Sequence, residues 1–321
     1  MNTIITATLS VGGIGALLGG VLAYASKVFH VEVDPKITQI DEVLPQANCG
    51  ACGFPGCAAY AEAVAGLKSD INLCSPGGQE VVDKIASIMG MAATVAEPVV
   101  AYVACKGSKE NAKDRFEYYG VKNCSSAVYI SGGHKQCEYG CLGFGECVEA
   151  CNFGAMHMDE ETGLPVVDDE KCTGCRACVD ACPKGIMKLI PKNRTVYIGC
   201  NSQAKGKEVM DACKVGCIGC KICSTPKVTP GKSIKMNGDL PVIDFKIEED
   251  YTAAKFKCPK GCFVDKNDRS KSEEQLASEK SEFKKMEAEK AAAAKKAALE
   301  KAAKLKAEKE AKAAKEAEEQ K

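Results

Sequence analysis

The pattern of apolar and polar residues divides the chain into three regions. Residues 4–25 form an uninterrupted run without a formal charge, rich in Leu, Ile, Val, Ala and Gly. As a helix at 1.5 Å per residue, this run spans about 33 Å, enough to cross the hydrocarbon core of a bilayer. The following residues, up to about 266, contain only short apolar stretches, and the rest is rich in Ala, Lys and Glu. The pattern predicts a membrane anchor helix over 1–27, a compact body and a charged tail.

A cleaved secretory signal is the alternative for the first run. Such a signal carries a basic segment before a shorter apolar core, whereas only residues 1–3 precede this run and none is basic. Lys27 and Lys36 follow the run, which favours a cytoplasmic location for the rest of the chain. We expect a single-pass protein of the cell membrane, embedded in lipid through residues 4–25, with its remaining domains on the cytoplasmic side.

Composition limits the size of any hydrophobic core. Aromatic residues make up 6% of the 321 residues and tryptophan is absent, so conventional cores must be small. The balance of 43 basic and 43 acidic residues gives no reason to expect nucleic acid as a partner. The 21 cysteines indicate instead that bound metal supplies part of the folding free energy.

The cysteines fall mostly into three dense groups. The first consists of Cys49, Cys52, Cys57 and Cys74. The second contains two runs, Cys137, Cys141, Cys147 and Cys151, then Cys172, Cys175, Cys178 and Cys182. The third, less regular, contains Cys200, Cys213, Cys217, Cys220, Cys223, Cys258 and Cys262. A [4Fe–4S] cluster is typically ligated by several closely spaced cysteines and by one cysteine that is more distant in the sequence.

Disulfides and zinc are alternative explanations for these thiols. Neighbouring Cys-x2-Cys pairs are poor disulfide partners, and an odd total leaves one thiol over. Zinc usually takes two well-separated pairs. The run from Cys172 instead has three thiols with two residues between neighbours and a fourth followed by Pro183, the pattern of clostridial ferredoxins. We therefore expect iron–sulfur clusters.

The second group predicts a pair of clusters. In duplicated ferredoxins the last cysteine of each run ligates the other cluster, and the segments beginning at Cys151 and Cys182 have matching form, although Asn152 replaces the usual proline. One expected ligand set is Cys137, Cys141, Cys147 and Cys182. The other is Cys172, Cys175, Cys178 and Cys151.

The third group predicts a second, degenerate ferredoxin-like module over 195–266. The segment ending at Cys105 resembles the segment ending at Cys200, and each is followed by a Cys-x3-Cys pair. Seven cysteines are one short of two clusters, so Cys105 or Cys124 would have to join, or some thiols are spare. One possible set is Cys217, Cys220, Cys223 and Cys258, and a crossed set uses Cys262. The preferred total is five clusters, four is the conservative number and three the minimum.

The first group, taken with the others, carries a family resemblance. The segment from Asp41 to Cys57 leads into expected helices over 58–67 and 79–89, with a structural metal knot as the alternative interpretation. It resembles the four-iron domain of the B subunit of Rnf-type ion-translocating ferredoxin:NAD oxidoreductases, and the order of anchor, four-iron domain and ferredoxin-like modules extends this resemblance over roughly residues 1–265.

The resemblance implies a fold and a function. The fold would be α+β, with an anchor over 1–27, a [4Fe–4S] domain over 34–92, ferredoxin-like modules over 98–194 and 195–266, and a helical or disordered tail over 267–321. The chain would be an enzyme subunit without a complete active site, relaying electrons from reduced ferredoxin to membrane and flavin-bearing partner subunits, coupled to Na+ or H+ movement. Alternatives are a stand-alone membrane-tethered polyferredoxin, a structural metal-binding module or a corrinoid-protein activator.

Overall fold

The structure is a computed structural model that describes residues 2–29, 34–93, 97–272 and 274–293. It divides into two compact units, Met1–Ala96 and Glu97–Lys321. Helix α1 covers Asn2–Val28, and its segment Ala7–Val28 is long and apolar enough to span a membrane. Its large side chains are exposed, as a lipid-facing helix requires.

The remainder of the first unit is a small three-helix domain. Helices α2 (Pro35–Val43), α3 (Cys57–Ala65) and α4 (Gly78–Met89) pack around a core that includes Ile40 and Ile85, both fully buried. The predicted helices over 58–67 and 79–89 agree with α3 and α4 within two residues at each end.

In the part that the structure describes, 97–272 and 274–293, the second unit is built on four antiparallel strand pairs rather than one large sheet. Strand β1 (Val99–Val103) pairs with β4 (Met187–Pro191), and β5 (Val196–Ile198) pairs with β8 (Phe263–Asp265). Two hairpins complete the set, β2 (Met156–Met158) with β3 (Pro165–Val167), and β6 (Ile234–Asn237) with β7 (Leu240–Ile243). The short helices are α5 (Cys124–Val128), α6 (Glu146–Glu149), α7 (Ala177–Asp180), α8 (Lys207–Ala212) and α9 (Thr252–Lys257).

The same local structure occurs twice in this unit. The sequence Cys-Pro-Lys-Gly begins at Cys182 and again at Cys258, and each copy leads into a strand, β4 or β8. The two lysines make equivalent contacts. Lys184 Nζ donates to the Glu138 carbonyl at 2.6 Å, and Lys260 Nζ donates to the Lys214 carbonyl at 3.2 Å. Each accepting residue directly follows the first cysteine of a Cys-x3-Cys pair.

The predicted tail, 267–321, contains a helix over 274–293 that packs against α9. The ring of Phe283 packs on Phe256 at a centroid distance of 5.2 Å, and Lys257 Nζ lies 2.5 Å from a Glu287 carboxylate oxygen. The start of the tail is therefore anchored to α9 rather than fully solvated. The rest of the predicted tail, 294–321, lies outside the described residues.

Candidate iron–sulfur centres

The structure divides the cysteines of its described residues into five groups, and their numbers replace those of the three sequence groups from here on. The first thiol group lies in the three-helix domain. Cys49, Cys52, Cys57 and Cys74 line one cavity of about 310 Å3, counting the part open to solvent. The loop is closed by Asn48, whose Oδ1 accepts a hydrogen bond from the Cys57 backbone N–H at 2.8 Å, where α3 begins. Gly50 and Gly53 have φ of 71° and 84°, a left-handed conformation that glycine adopts without strain.

Tyr60 fixes the segment that returns Cys74 to this cavity. Its hydroxyl donates to the Asp70 carbonyl at 2.8 Å and accepts from the Leu73 N–H at 3.2 Å, while the ring is buried. Burial raises the pKa of the Tyr60 hydroxyl to about 12, and burial also raises the pKa of the Cys74 thiol. Cys74 therefore favours the neutral thiol unless a positive charge is present in the cavity.

The second group contains Cys151, Cys172, Cys175 and Cys178. Burial raises the pKa of Cys178 to about 12, and the other three thiols of the group are among its charged neighbours. The Cys172 sulfur accepts a hydrogen bond from the Ala101 N–H of β1 at 3.3 Å. The structure thus brings together the four cysteines that the sequence assigns to one cluster.

The third group differs from the sequence-based assignment. Its cavity, of about 390 Å3 with the solvent-open part, is lined by Cys124, Cys141, Cys147 and Cys182. Cys124 takes the place expected for Cys137. It begins α5, whose next residue, Ser125, donates from both its N–H and its hydroxyl to Glu146 Oε2 at 2.9 Å. Because Glu146 directly precedes Cys147, this contact holds the two cysteines on one cavity.

Cys137 lies at another cavity, that of the fourth thiol group. This cavity, of about 410 Å3 with the solvent-open part, is lined by Cys105, Cys137, Cys200 and Cys213, with Cys141 at its wall. The structure therefore does not group Cys137 with Cys147 and Cys182, which line the third cavity together with Cys124 and Cys141. The reason is the turn after Cys137, where the Gly140 N–H donates to the Cys137 carbonyl at 3.1 Å. Cys137 thus lines one cavity, Cys147 lines the other, and Cys141 lines both.

The fifth group has one thiol more than a cubane cluster needs. Cys217, Cys220, Cys223, Cys258 and Cys262 all line a cavity of about 380 Å3 with the solvent-open part. The Cys262 N–H donates to the Cys258 sulfur at 3.3 Å, as the Ile186 N–H donates to the Cys182 sulfur at 3.4 Å. Cys262 thus occupies the position of an apolar residue in the other copy of this turn. Hydrogen bonding from the Cys262 thiol is the main cause that lowers the pKa of Cys258 to about 6.

The cavities suit a cluster better than a single ion. Burial raises the pKa of Cys147 and Cys223 to about 12, so thiolates there require a cationic partner. Within 2–29, 34–93, 97–272 and 274–293, no three His, Cys, Asp or Glu side chains are placed to hold one metal ion. Sulfurs around a zinc ion would lie closer together than those around a cubane of four irons. The all-sulfur donor sets fit [4Fe–4S] clusters.

Two protein families match segments of the chain. Residues 44–76 match a family described as "Putative Fe-S cluster", and residues 135–186 match a "4Fe-4S dicluster domain" family. These matches confirm the prediction of iron–sulfur clusters. Cys105, Cys124 and the group from Cys200 onward lie outside both matched segments.

Longer relatives decide the family. The chain is 42% identical over 245 residues to the B subunit of an ion-translocating oxidoreductase complex from Methanosarcina acetivorans, covering 76% of this chain and 92% of the relative. It is 43% identical over 265 residues to the B subunit of a proton-translocating ferredoxin:NAD(+) oxidoreductase complex from Clostridium ljungdahlii, covering 81% and 92%. The B subunit of the Na(+)-translocating ferredoxin:NAD(+) oxidoreductase complex from Acetobacterium woodii is 42% identical over 217 residues, covering 68% and 65%.

The chain belongs to this B-subunit family. The predicted family and the predicted role as an iron–sulfur electron-transfer subunit are both confirmed. Membership makes the chain one subunit of a membrane-associated redox complex, and α1 is a candidate for its attachment to the membrane.

Proposed function

We propose that this chain is the membrane-anchored entry relay of a ferredoxin:NAD oxidoreductase complex. It would accept electrons from reduced ferredoxin and pass them to membrane and flavin-bearing partner subunits, coupled to Na+ or H+ translocation elsewhere in the complex. The names of the Clostridium and Acetobacterium relatives support the overall reaction. The chain would cross the membrane once through α1, with its cluster domains on the cytoplasmic side.

The contiguity of the thiol groups in the second unit carries this proposal. Cys178 of the second group has Cys147 of the third as a charged neighbour. Cys141 lines the cavities of both the third and the fourth groups. The Cys217 N–H of the fifth group donates to the Cys200 sulfur of the fourth at 3.3 Å. Because electron tunnelling weakens steeply with distance, such an unbroken series is what a relay requires.

The protein's own groups would hold and tune each carrier. When bound, a [4Fe–4S] cluster supplies a one-electron redox couple. The cysteines would ligate it as thiolates, and backbone N–H groups that point at sulfur, such as those of Ala101 and Ile186, would stabilise the more negative reduced state. Apolar neighbours such as Met187, which is 1% exposed, keep water away from the sulfurs.

We also propose that 98–194 and 195–266 are duplicated ferredoxin-like modules. Support comes from the two Cys-Pro-Lys-Gly turns, whose glycines Gly185 and Gly261 have φ of 59° and 58°. The equivalent lysine contacts described above support it further. The chain would then contain five clusters.

Anaerobic purification tests the relay. Full-length protein in detergent should be brown and contain roughly 16 to 20 iron atoms per chain, at four per cluster. Addition of reduced ferredoxin should bleach its visible absorption within the mixing time of a stopped-flow experiment. Zinc in place of iron would contradict the cluster assignment. Intact clusters that reduced ferredoxin fails to bleach would instead favour a scaffold or a stand-alone carrier with another donor.

A further inference from the structure

We infer that one [4Fe–4S] cluster bridges the two halves of the second unit, ligated by Cys105 and Cys137 from the first half and by Cys200 and Cys213 from the second. This inference rests on the proposed relay function and goes further, because neither matched family segment includes such a site. The four residues line one cavity although they are widely separated along the chain.

Thiols of both halves lie close to one backbone position of the cavity wall. A Cβ atom added at Gly107 would lie 3.4 Å from the Cys105 sulfur and 3.8 Å from the Cys213 sulfur. Position 107 is therefore within van der Waals contact of a thiol of the first half and of a thiol of the second. Cys200 is 8% exposed and Cys213 7%, so both thiols face the interior.

The hydrogen bonds to two of the sulfurs follow the same pattern in each half. The Cys105 sulfur accepts from the Gly107 N–H at 3.3 Å and from the Cys141 N–H. The Cys200 sulfur accepts from the Cys217 N–H at 3.3 Å and from the Ser202 N–H. In each half the donors are the residue two positions later and the second member of the Cys-x3-Cys pair. Oriented N–H groups of this kind stabilise sulfur ligands of a cluster.

Two contacts, one in each direction between the halves, fix the positions of the two pairs of ligands relative to each other. Lys106, next to Cys105, donates from Nζ to the Gly261 carbonyl of the second half at 2.9 Å. Asn201, next to Cys200, donates from Nδ2 to the Lys184 carbonyl of the first half at 3.2 Å. Each contact joins a ligand's neighbour to the Cys-Pro-Lys-Gly turn of the opposite half, so both pairs are fixed to one framework.

The surroundings also carry charge of the right sign. A cubane held by four thiolates is a net anion, and it needs compensation when buried. The lysines near these thiols are Lys135 beside Cys105, Lys184 beside Cys137, and Lys188 beside Cys200. A cluster held by both halves would also pass electrons between the third and fifth groups. Cys141 of the third group lines its cavity, and Cys217 of the fifth group donates its N–H to the Cys200 sulfur.

Serine variants of the full-length protein, purified without oxygen in detergent, test the inference. Cys137→Ser and Cys213→Ser should each lose about four iron atoms and the same component of the reduced EPR spectrum. The double variant should lose no more iron than either single variant. Cys147→Ser should lose a different component. Ser108→Ala is the control: it removes a buried hydroxyl, 8% exposed, that lies outside the linings of the thiol cavities, and it should leave the iron content unchanged.

The outcomes separate this inference from the relay itself. Loss of the same component in Cys137→Ser and Cys147→Ser, or loss of about eight irons in the double variant, would overturn the bridging site while leaving the relay intact. Wild-type protein without iron would instead overturn the relay. A variant that fails to fold loses every component, so Cys105→Ala and Cys200→Ala are made in parallel. The inference is also overturned if two folded variants, one from each half, lose different components of the EPR spectrum.

Discussion

Tyr102 and Tyr197 lie against each other across the second unit, with ring centroids 4.5 Å apart and ring planes at 46°. Tyr102 belongs to β1 and Tyr197 to β5, and both rings are buried. Burial raises the pKa of Tyr102 to about 12, so its hydroxyl stays neutral at physiological pH. In a body with few aromatic residues, this pair is a major apolar contact between the two halves.

Replacing Tyr197 with Ala should destabilise the second unit by about 3–5 kcal/mol, because a buried aromatic ring and its partner contact are both lost. The measurement is the denaturant midpoint of anaerobic full-length protein, followed by visible cluster absorbance. Tyr129→Ala is the control, since Tyr129 is 90% exposed. An unchanged midpoint for Tyr197→Ala would mean that the halves do not depend on this contact.

The third thiol group includes Cys124, which the cysteine spacing alone does not assign to a cluster. Cys124→Ser should remove about four iron atoms and the same EPR component as Cys147→Ser, because both cysteines line one cavity. Ser125→Ala, which removes only a hydroxyl contact to Glu146, should keep the iron and alter the spectrum at most slightly. Full iron content in Cys124→Ser would exclude this cysteine as a ligand.

Two glycines with similar backbone angles should respond differently to Ala. Gly174 has φ of 69° and Gly185 has φ of 59°, so each substitution costs about 1–2 kcal/mol of left-handed strain. A Cβ at Gly174 would also collide with the Val99 carbonyl oxygen, whereas nothing lies within 4 Å at Gly185. Gly174→Ala should therefore lower cluster loading of the second group, and Gly185→Ala should only lower the midpoint modestly. Iron analysis and denaturation of both variants check this, and equal effects would contradict it.

The sequence predicts the groups that follow a standard spacing and misses the others for a physical reason. The first group closes within one short domain, and the second follows the ferredoxin rule, so linear spacing describes both. Cys137 and Cys141 are four positions apart, and a run rule assigns them to one cluster. In the structure, Cys137 lines the cavity of Cys105, Cys200 and Cys213 after the tight turn at Gly140, whereas Cys141 lines that cavity and also the cavity of Cys147.

The strands and the third-group assignment depend on contacts that are distant in sequence. Strands of three residues, such as β5 and β8, are too short to show an alternating pattern. Cys124 has no neighbouring cysteine in the sequence, and its partners follow from the Glu146 contact with its helix and from the shared cavity. The candidate membrane helix, by contrast, is predicted from local composition alone, and α1 begins within two residues of the expected run.

The start of the tail offers a last prediction. Phe283 packs on Phe256 of α9. Helix α9 ends at Lys257, directly before Cys258 in the chain. Phe283→Ala should lower stability by about 1–2 kcal/mol through the lost aromatic contact and buried area. Iron content should stay unchanged, because Phe283 lies outside the lining of the nearby cavity. Met286→Ala is the control, since Met286 is on the same helix and 42% exposed. If both variants keep the wild-type midpoint, the helix over 274–293 contributes nothing to the stability of α9; if Phe283→Ala loses iron, the tail supports the fifth thiol group directly.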